Sequence, residues 1–296
     1  MKHNITATIL LISVFILAQI VGLSFVSMST QTTTVEGEIV VGFDSTSIGE
    51  RPETQGFETL IILFLGITIG TLILLYIAKK NKINMWRAWF FIASLIAISI
   101  SLGVILEGII LWIFTLIIVM LRFYRPNFFT TNTAEILMYS GLAVFLVPIL
   151  DVSTMLVILI LISLYDMYAV WKSKHMVTMA KFTSDNNLFP GLSLKYNRKK
   201  KDETTNSKII KSSKTIGVIG GGDVVFPLLF AGTILVSLVS KGVSKNLAFA
   251  QSSIIIFMSA ISLLTLFYFS KKEKFYPAMP FITIGCLIGY VIILLI

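Results

Sequence analysis

Two aspartates stand where aspartates are costly. Asp166 ends the apolar run Leu161-Ile162-Ser163-Leu164-Tyr165, and Asp223 follows Gly220-Gly221-Gly222 within another apolar run. A carboxylate at membrane depth costs about 2.5–3.5 kcal/mol even on a lenient insertion scale, so such a residue faces a protein interior and has a task. Two carboxyls about 3 Å apart cannot both ionise, and they share one proton. The ionised member can then take a proton from water while the protonated member polarises a carbonyl. The chemistry open to such a pair is hydrolysis of a peptide bond. A singly charged pair is also cheaper to bury than two anions.

Competing chemistries lack their residues. A lone Cys286 excludes an internal disulfide and a cysteine-rich metal site. His3 and His175 are far apart in flanking segments, and no H-E-x-x-H pair is present to hold zinc, so neither a metal nor another cofactor is expected. A serine nucleophile needs a nearby base, and no histidine lies in any apolar block. The net charge of +9 could suggest nucleic acid, but the basic residues flank apolar blocks and set membrane orientation instead; no nucleic-acid partner is expected.

The neighbours of the aspartates suit peptide cleavage. Gly217, Gly220, Gly221 and Gly222 precede Asp223, and Pro227 follows it by four residues. Glycines let helices approach closely, and a proline frees the carbonyl one turn earlier. A helical substrate hides its carbonyls in its own hydrogen bonds, so an enzyme in a membrane must offer strand-like backbone partners and admit water. A loosened, glycine-rich segment serves both needs; helix packing alone is the plainer account of it. Tyr165 either orients Asp166 through its hydroxyl or is an interfacial aromatic. Pro277-Ala278-Met279-Pro280 opens the last apolar block, where prolines are commonly structural, but on the membrane face expected for both aspartates.

The elements that carry these residues follow from composition. The 296 residues are 56 % hydrophobic and 13 % charged, with a mean hydropathy of +0.90. Soluble domains are roughly 45–50 % apolar and about 25 % charged. The apolar residues fall in blocks of about 18 or more, the length that crosses a hydrocarbon core. Single spans are expected at 5–25, 57–78, 215–240, 247–269 and 278–296. The first apolar run exceeds a typical signal-peptide core of about 7–15 residues and reads as a retained helix. Blocks 88–121 and 134–171 are too long for one crossing at about 1.5 Å per residue. The first splits around Gly103, Glu107 and Gly108, the second around Pro148 and Asp151.

The expected fold is therefore all-α, a polytopic membrane protein with nine transmembrane helices. With the N-terminus cytoplasmic and the C-terminus outside, all but Arg51, Lys241 and Lys245 of the 24 Lys and Arg fall on the cytoplasmic side. Asp166, near the end of the sixth span, and Asp223, in the seventh, then sit about 8 and 12 Å below the same face. The remaining acidic residues are assigned to loops or interfaces. Three regions result: 1–171 with spans one to six, a basic cytoplasmic connector 172–214, and 215–296 with spans seven to nine. The connector carries Asn186-Asn187, Pro190-Gly191 and the run Arg198-Lys199-Lys200-Lys201-Asp202-Glu203; it reads as largely solvated and drawn to the anionic inner leaflet. The outside stretch 27–56, with Glu36, Glu38, Asp44, Glu50 and Glu53, is an ordinary loop or a screen for substrate ectodomains. Sparse cysteine and abundant isoleucine fit a microbial plasma membrane.

Tyr165-Asp166, Gly220-Gly221-Gly222-Asp223 and Pro277-Ala278-Met279, in that order in the sixth, seventh and ninth spans, resemble the YD, GxGD and PAL motifs of the presenilin and signal peptide peptidase family. The stretch from Tyr165 through Trp171 to Lys174-His175-Met176 is similar to archaeal presenilin-like members. The resemblance implies a presenilin-like fold of nine spans and an intramembrane aspartic endopeptidase with Asp166 and Asp223 as catalytic pair. It implies that Pro277, Ala278 and Met279 shape the active site, and that transmembrane-segment proteins or signal peptides are the substrates. Met279 replaces the family leucine, a change that keeps volume and apolarity and is expected to tune activity. Presenilin itself needs partner subunits and cleaves its own connector; smaller microbial relatives act without either, so obligate subunits are not implied. Two other classes of membrane protein use paired aspartates. A prepilin-type peptidase usually carries a lysine soon after its aspartate, where Val224, Val225 and Phe226 stand here. A proton- or cation-coupled transporter or channel could use paired aspartates, but transporters often show internal repeats and none is visible here.

Overall fold

The computed structural model describes residues 5–35, 38–51, 56–80, 82–173, 191–198, 213–270 and 276–296. Among them are nine α-helices: α1 (Ile5–Ser29), α2 (Phe57–Lys79), α3 (Ile83–Leu102), α4 (Gly108–Tyr124), α5 (Phe128–Leu146), α6 (Val152–Tyr168), α7 (Gly221–Ser240), α8 (Lys245–Phe269) and α9 (Met279–Leu295). Six are long and apolar enough to cross a membrane; α2, α4 and α9 have shorter apolar stretches of 10–17 residues. Two antiparallel hairpins complete the fold, β1 (Thr30–Val35) with β2 (Glu38–Phe43), and β3 (Gly191–Arg198) with β4 (Ser213–Gly220).

Both long apolar blocks divide as their sequences dictate. Between α3 and α4 the chain turns through residues 103–107, and Gly108 has a φ of 62°, a left-handed conformation that suits glycine. Between α5 and α6, Pro148 lies in a 3-10 turn, Val147–Ile149, and the Asp151 side chain caps α6 by accepting the Thr154 N–H. The start of α5 is fixed by a reciprocal cap: Asn127 Oδ1 accepts the Thr130 N–H (2.8 Å) and Thr130 Oγ1 accepts the Asn127 N–H (2.9 Å).

The centre of the bundle is α7, buried almost all round from Val224 to Leu235, as expected of a helix that is apolar on every face. Helix α1 lies beside it and buries Leu11, Phe15, Ala18, Leu23 and Val26. Close contacts run through small residues: a Cβ at Gly141 of α5 would lie 1.8 Å from the Ala97 carbonyl oxygen of α3, and one at Gly289 of α9 would lie 2.8 Å from Ile255 Cα of α8. The outer faces expose apolar side chains, among them Ile62, Phe64 and Leu72 of α2 and Ile109 and Ile113 of α4. In a bilayer that surface meets lipid.

Contacts define two ends. At one, Asp166 of α6 meets Met279 of α9, Asn132 of α5 meets Ser193 of β3, and β4 runs into α7. At the other, Lys245 donates to the Thr30 carbonyl, Arg51 Nη2 to the Val144 carbonyl (3.2 Å), and Ser47 to Ser99 (3.3 Å). The stretch 27–56 is thus no simple loop. It forms the β1–β2 hairpin, with Gln31 donating to Asp44 (2.6 Å) and Arg51 tied to Asp44 and α5.

Three further expectations are corrected. The seventh span was expected as a helix from residue 215, with Asp223 two turns inside it. Instead residues 213–220 form β4, helix α7 begins at Gly221, and Asp223 lies in its first turn. Thr215, Ile216, Val218 and Ile219 are β-branched, and Gly217 and Gly220 weaken a helix, so local preference favours the strand. The connector is not solvated throughout. Its β3 buries Leu192 and Leu194 in alternation, the period that puts both on one strand face, and Leu192 pairs with the buried Ile219. Third, the sequence places Glu135 in a loop or at an interface and Arg122 on a cytoplasmic flank. Both are buried, at 0 % and 2 % exposure, and form an ion pair at 3.0 Å. His3, His175, Asn186-Asn187, residues 199–203 and Lys271, Lys272 and Lys274 lie outside the described residues.

Candidate active site

Asp166 lies two residues before the end of α6 and is 4 % exposed. Its Oδ2 accepts the backbone N–H of Met279 at 3.1 Å, and the Ala278 N–H also reaches the carboxylate. The local sequence explains this. Ala278 is the N-cap of α9 and Met279 its first helical residue, and the first N–H groups of any helix have no intrahelical acceptor. Pro280, next in line, has no N–H, and a proline in the first turn is favourable because its φ is already helical. Pro277 and Met279 are buried beside the carboxylate's partners, while Ala278 and Pro280 are half-buried. One turn back on α6, Ser163 shares a 2.7 Å hydroxyl contact with Thr283 of α9, fixing the two helices side by side.

Asp223 is the third residue of α7 and is half-buried. Its carboxylate takes the N–H of Gly220, the N-cap, which is the back-reach of a capping box made by an aspartate. A Cβ on Gly220 would lie 3.1 Å from Asp223 Oδ2, whereas one on Gly222 would meet only Phe226 at 3.6 Å. Of these two glycines, Gly220 is therefore the one whose missing side chain matters to the carboxylate; Gly221, between them, is the first residue of the helix. From α1, Gln19, fully buried, donates to the Val224 carbonyl at 2.6 Å. Pro227 has no N–H for the carbonyl of Asp223, so the first turn of α7 is loosened beside the side chain.

The two carboxylates lie within electrostatic reach of each other. Each is held by N–H groups at a helix start: Asp223 at its own helix, Asp166 at α9. Tyr165, by contrast, is 50 % exposed although it adjoins Asp166, which favours the interfacial account of that ring. Sequence reasoning missed a second polar group here. Asn132, Glu135 and Tyr139 line one face of α5, and Tyr139 lies within electrostatic reach of Asp223. The available signal was Glu135 itself, a carboxylate opening an apolar block 13 residues after a buried arginine.

A helical membrane bundle with two carboxylates gathered at one end is the arrangement an intramembrane aspartyl protease requires. The chain belongs to the signal-peptide peptidase, presenilin aspartyl protease family, whose model matches residues 12–296. It is thereby a hydrolase, an aspartic endopeptidase built into the membrane. Solved structures agree in fold. Two crystal forms of a presenilin family intramembrane aspartate protease are similar to it: the P2 form at 17 % identity, 96 % of each chain and a TM-score of 0.60, and the C222 form at 16 % identity, 96 % of this chain, 94 % of that chain and a TM-score of 0.56. No curated protein matches the sequence.

Proposed function

We propose that Asp166 and Asp223 are the catalytic pair, and that they cleave transmembrane segments or signal peptides within the bilayer. The observation that carries this is the convergence of the two carboxylates from α6 and α7, each supplied with backbone donors from a helix start. One shared proton between them gives a base for water and an acid for the scissile carbonyl. Fixed N–H donors hold the carboxylates without reorganisation during the reaction. Pro277, Ala278, Met279 and Pro280 serve by presenting the start of α9 to Asp166. Gly220, Gly221 and Gly222 serve by bringing a strand directly into the first turn that carries Asp223.

The strand answers the substrate's need for extended backbone. Among the described residues β4 pairs with β3 on one side only, so its other edge can accept an unwound substrate strand leading to Asp223. The orientation that follows from the Lys and Arg distribution is N-terminus cytoplasmic and C-terminus outside, with the pair towards the cytoplasmic side. Both carboxylates of this chemistry come from the one chain. The test is cleavage of a single-span substrate by purified protein in detergent, with products weighed by mass spectrometry. Asp166→Ala and Asp223→Ala should each abolish cleavage while thermal unfolding stays cooperative. Cleavage at the same bond by either variant would remove that residue from the pair.

A further inference from the structure

Helix α5 carries polar side chains where an ordinary packing face would be apolar. Asn132, Glu135 and Tyr139 are spaced three and four residues apart, so they share one face, and all are buried. Glu135 is fully ligated: Arg122 Nη2 of α4 donates to Oε1 at 3.0 Å, the Tyr139 hydroxyl to Oε2 at 2.8 Å, and the Gly191 backbone N–H also reaches the carboxylate. The guanidinium of Arg122 is seated over the Phe90 ring of α3, 5.6 Å from its centroid. One turn earlier, Asn132 grips both backbone groups of Ser193: Nδ2 donates to the carbonyl at 3.0 Å and Oδ1 accepts the N–H at 3.0 Å.

These bonds all end on one edge of β3. Gly191 and Ser193 are alternate residues, so their backbone groups face the same side of the strand. The other side of β3 pairs with β4, where Gly191 lies opposite Gly220. Gly220 is the residue whose N–H holds Asp223. The contacts therefore run from Arg122 through Glu135 to Gly191 of β3, then across the β3–β4 ladder, in which the neighbouring Leu192 pairs with Ile219, to Gly220 and the carboxylate. A buried ion pair is a weak device for stability, because desolvation offsets its attraction and apolar replacements often do as well. It is a good device for fixing a position.

We propose that Asn132 and Glu135 are positioning residues for the reaction. Acting as a side-chain ladder partner for β3, with Arg122 and Tyr139 holding the Glu135 carboxylate, they set where the β3–β4 hairpin stands and so where Asp223 stands opposite Asp166. This rests on Asp223 being catalytic.

The test compares Asn132→Ala and the paired replacement Arg122→Met with Glu135→Leu against wild type and Asp223→Ala. The paired replacement leaves no buried charge unpaired, and Asn132→Ala touches no charge, so folding does not depend on a single variant. Turnover is measured per folded molecule, with KM for a single-span substrate. The expected result is a kcat lowered about ten- to a hundredfold in both, the loss that about 1 Å of misplacement causes, with KM within twofold. A purely structural role would lower the unfolding temperature and leave kcat per folded molecule unchanged, and that result overturns the proposal. If both variants match wild type while Asp223→Ala is dead, the positioning role fails and the catalytic pair stands. Cleavage by Asp223→Ala removes the catalytic assignment and this inference with it.

Discussion

Placing a methyl group at residue 220 perturbs the site with little else changed. Gly220 has φ −62° and ψ 148°, a conformation open to any residue, so alanine brings no backbone strain. Its Cβ would lie 3.1 Å from Asp223 Oδ2, against an ordinary separation of about 3.5 Å or more. The carboxylate must yield by a few tenths of an ångström. If about 1 Å of misplacement costs about a hundredfold, 0.3–0.5 Å costs roughly four- to tenfold in kcat, or about 0.8–1.4 kcal/mol. Gly220→Ser sharpens the comparison. Serine brings the same Cβ but is a far better N-cap than alanine, so it should hold or raise thermal stability while losing comparable turnover. Gly222→Ala is the counterpart: its Cβ meets only Phe226 at 3.6 Å, and alanine favours the helix, so kcat should stay within about twofold. The assay is kcat and KM for a fluorogenic single-span substrate in detergent, beside thermal unfolding of each variant. Wild-type kcat in both residue-220 variants, or an equal loss at Gly222→Ala, would refute contact with the carboxylate as the reason for glycine at 220.

Three other outcomes follow from the packing. Gly141→Ala puts a Cβ 1.8 Å from the Ala97 carbonyl oxygen, a backbone atom that cannot swing aside, so the cost should reach or exceed the roughly 1–3 kcal/mol of ordinary overpacking and lower the unfolding temperature. Gly66→Ala in α2, with nothing within 4 Å, should instead leave it unchanged or raise it. Cys286 is fully buried in α9, so a maleimide should label it only after unfolding by heat or denaturant; rapid labelling of the active enzyme would contradict the packing of α8 on α9.

The parts legible in the sequence were those with one physical cause. Span lengths follow from bilayer thickness, and the splits at Gly103–Gly108 and Pro148–Asp151 follow from residues that end helices. Asp166 and Asp223 stood out because a carboxylate in an apolar run demands an explanation. Hairpin β3–β4 was hidden for two reasons. Ile216, Val218 and Ile219 are as apolar as the helix they precede, and the Leu192–Leu194 alternation is short and set among polar and basic residues. The Arg122–Glu135 pair was hidden because each residue closes or opens an apolar block, where a charge normally meets water. Only the tertiary fold, which draws β3 beneath α5, takes that water away. The bond from Met279 to Asp166 was half legible: prolines marked the start of α9, but which carboxylate received its free N–H groups depended on the seating of α9 against α6.

The Arg122–Glu135 pair also bears on how the chain enters a membrane. The two residues belong to consecutive helices joined by a turn at 125–127, so they can meet before any distant part of the bundle exists. Carried separately into lipid, each charge would oppose insertion, by up to about 2.5–3.5 kcal/mol at full depth. Entering together as a helical hairpin, they present no net charge. The α4–α5 hairpin is therefore suited to insert during synthesis with its two buried charges already paired and Arg125 left at the turn, so that a fixed polar anchor is in place when β3 is made later.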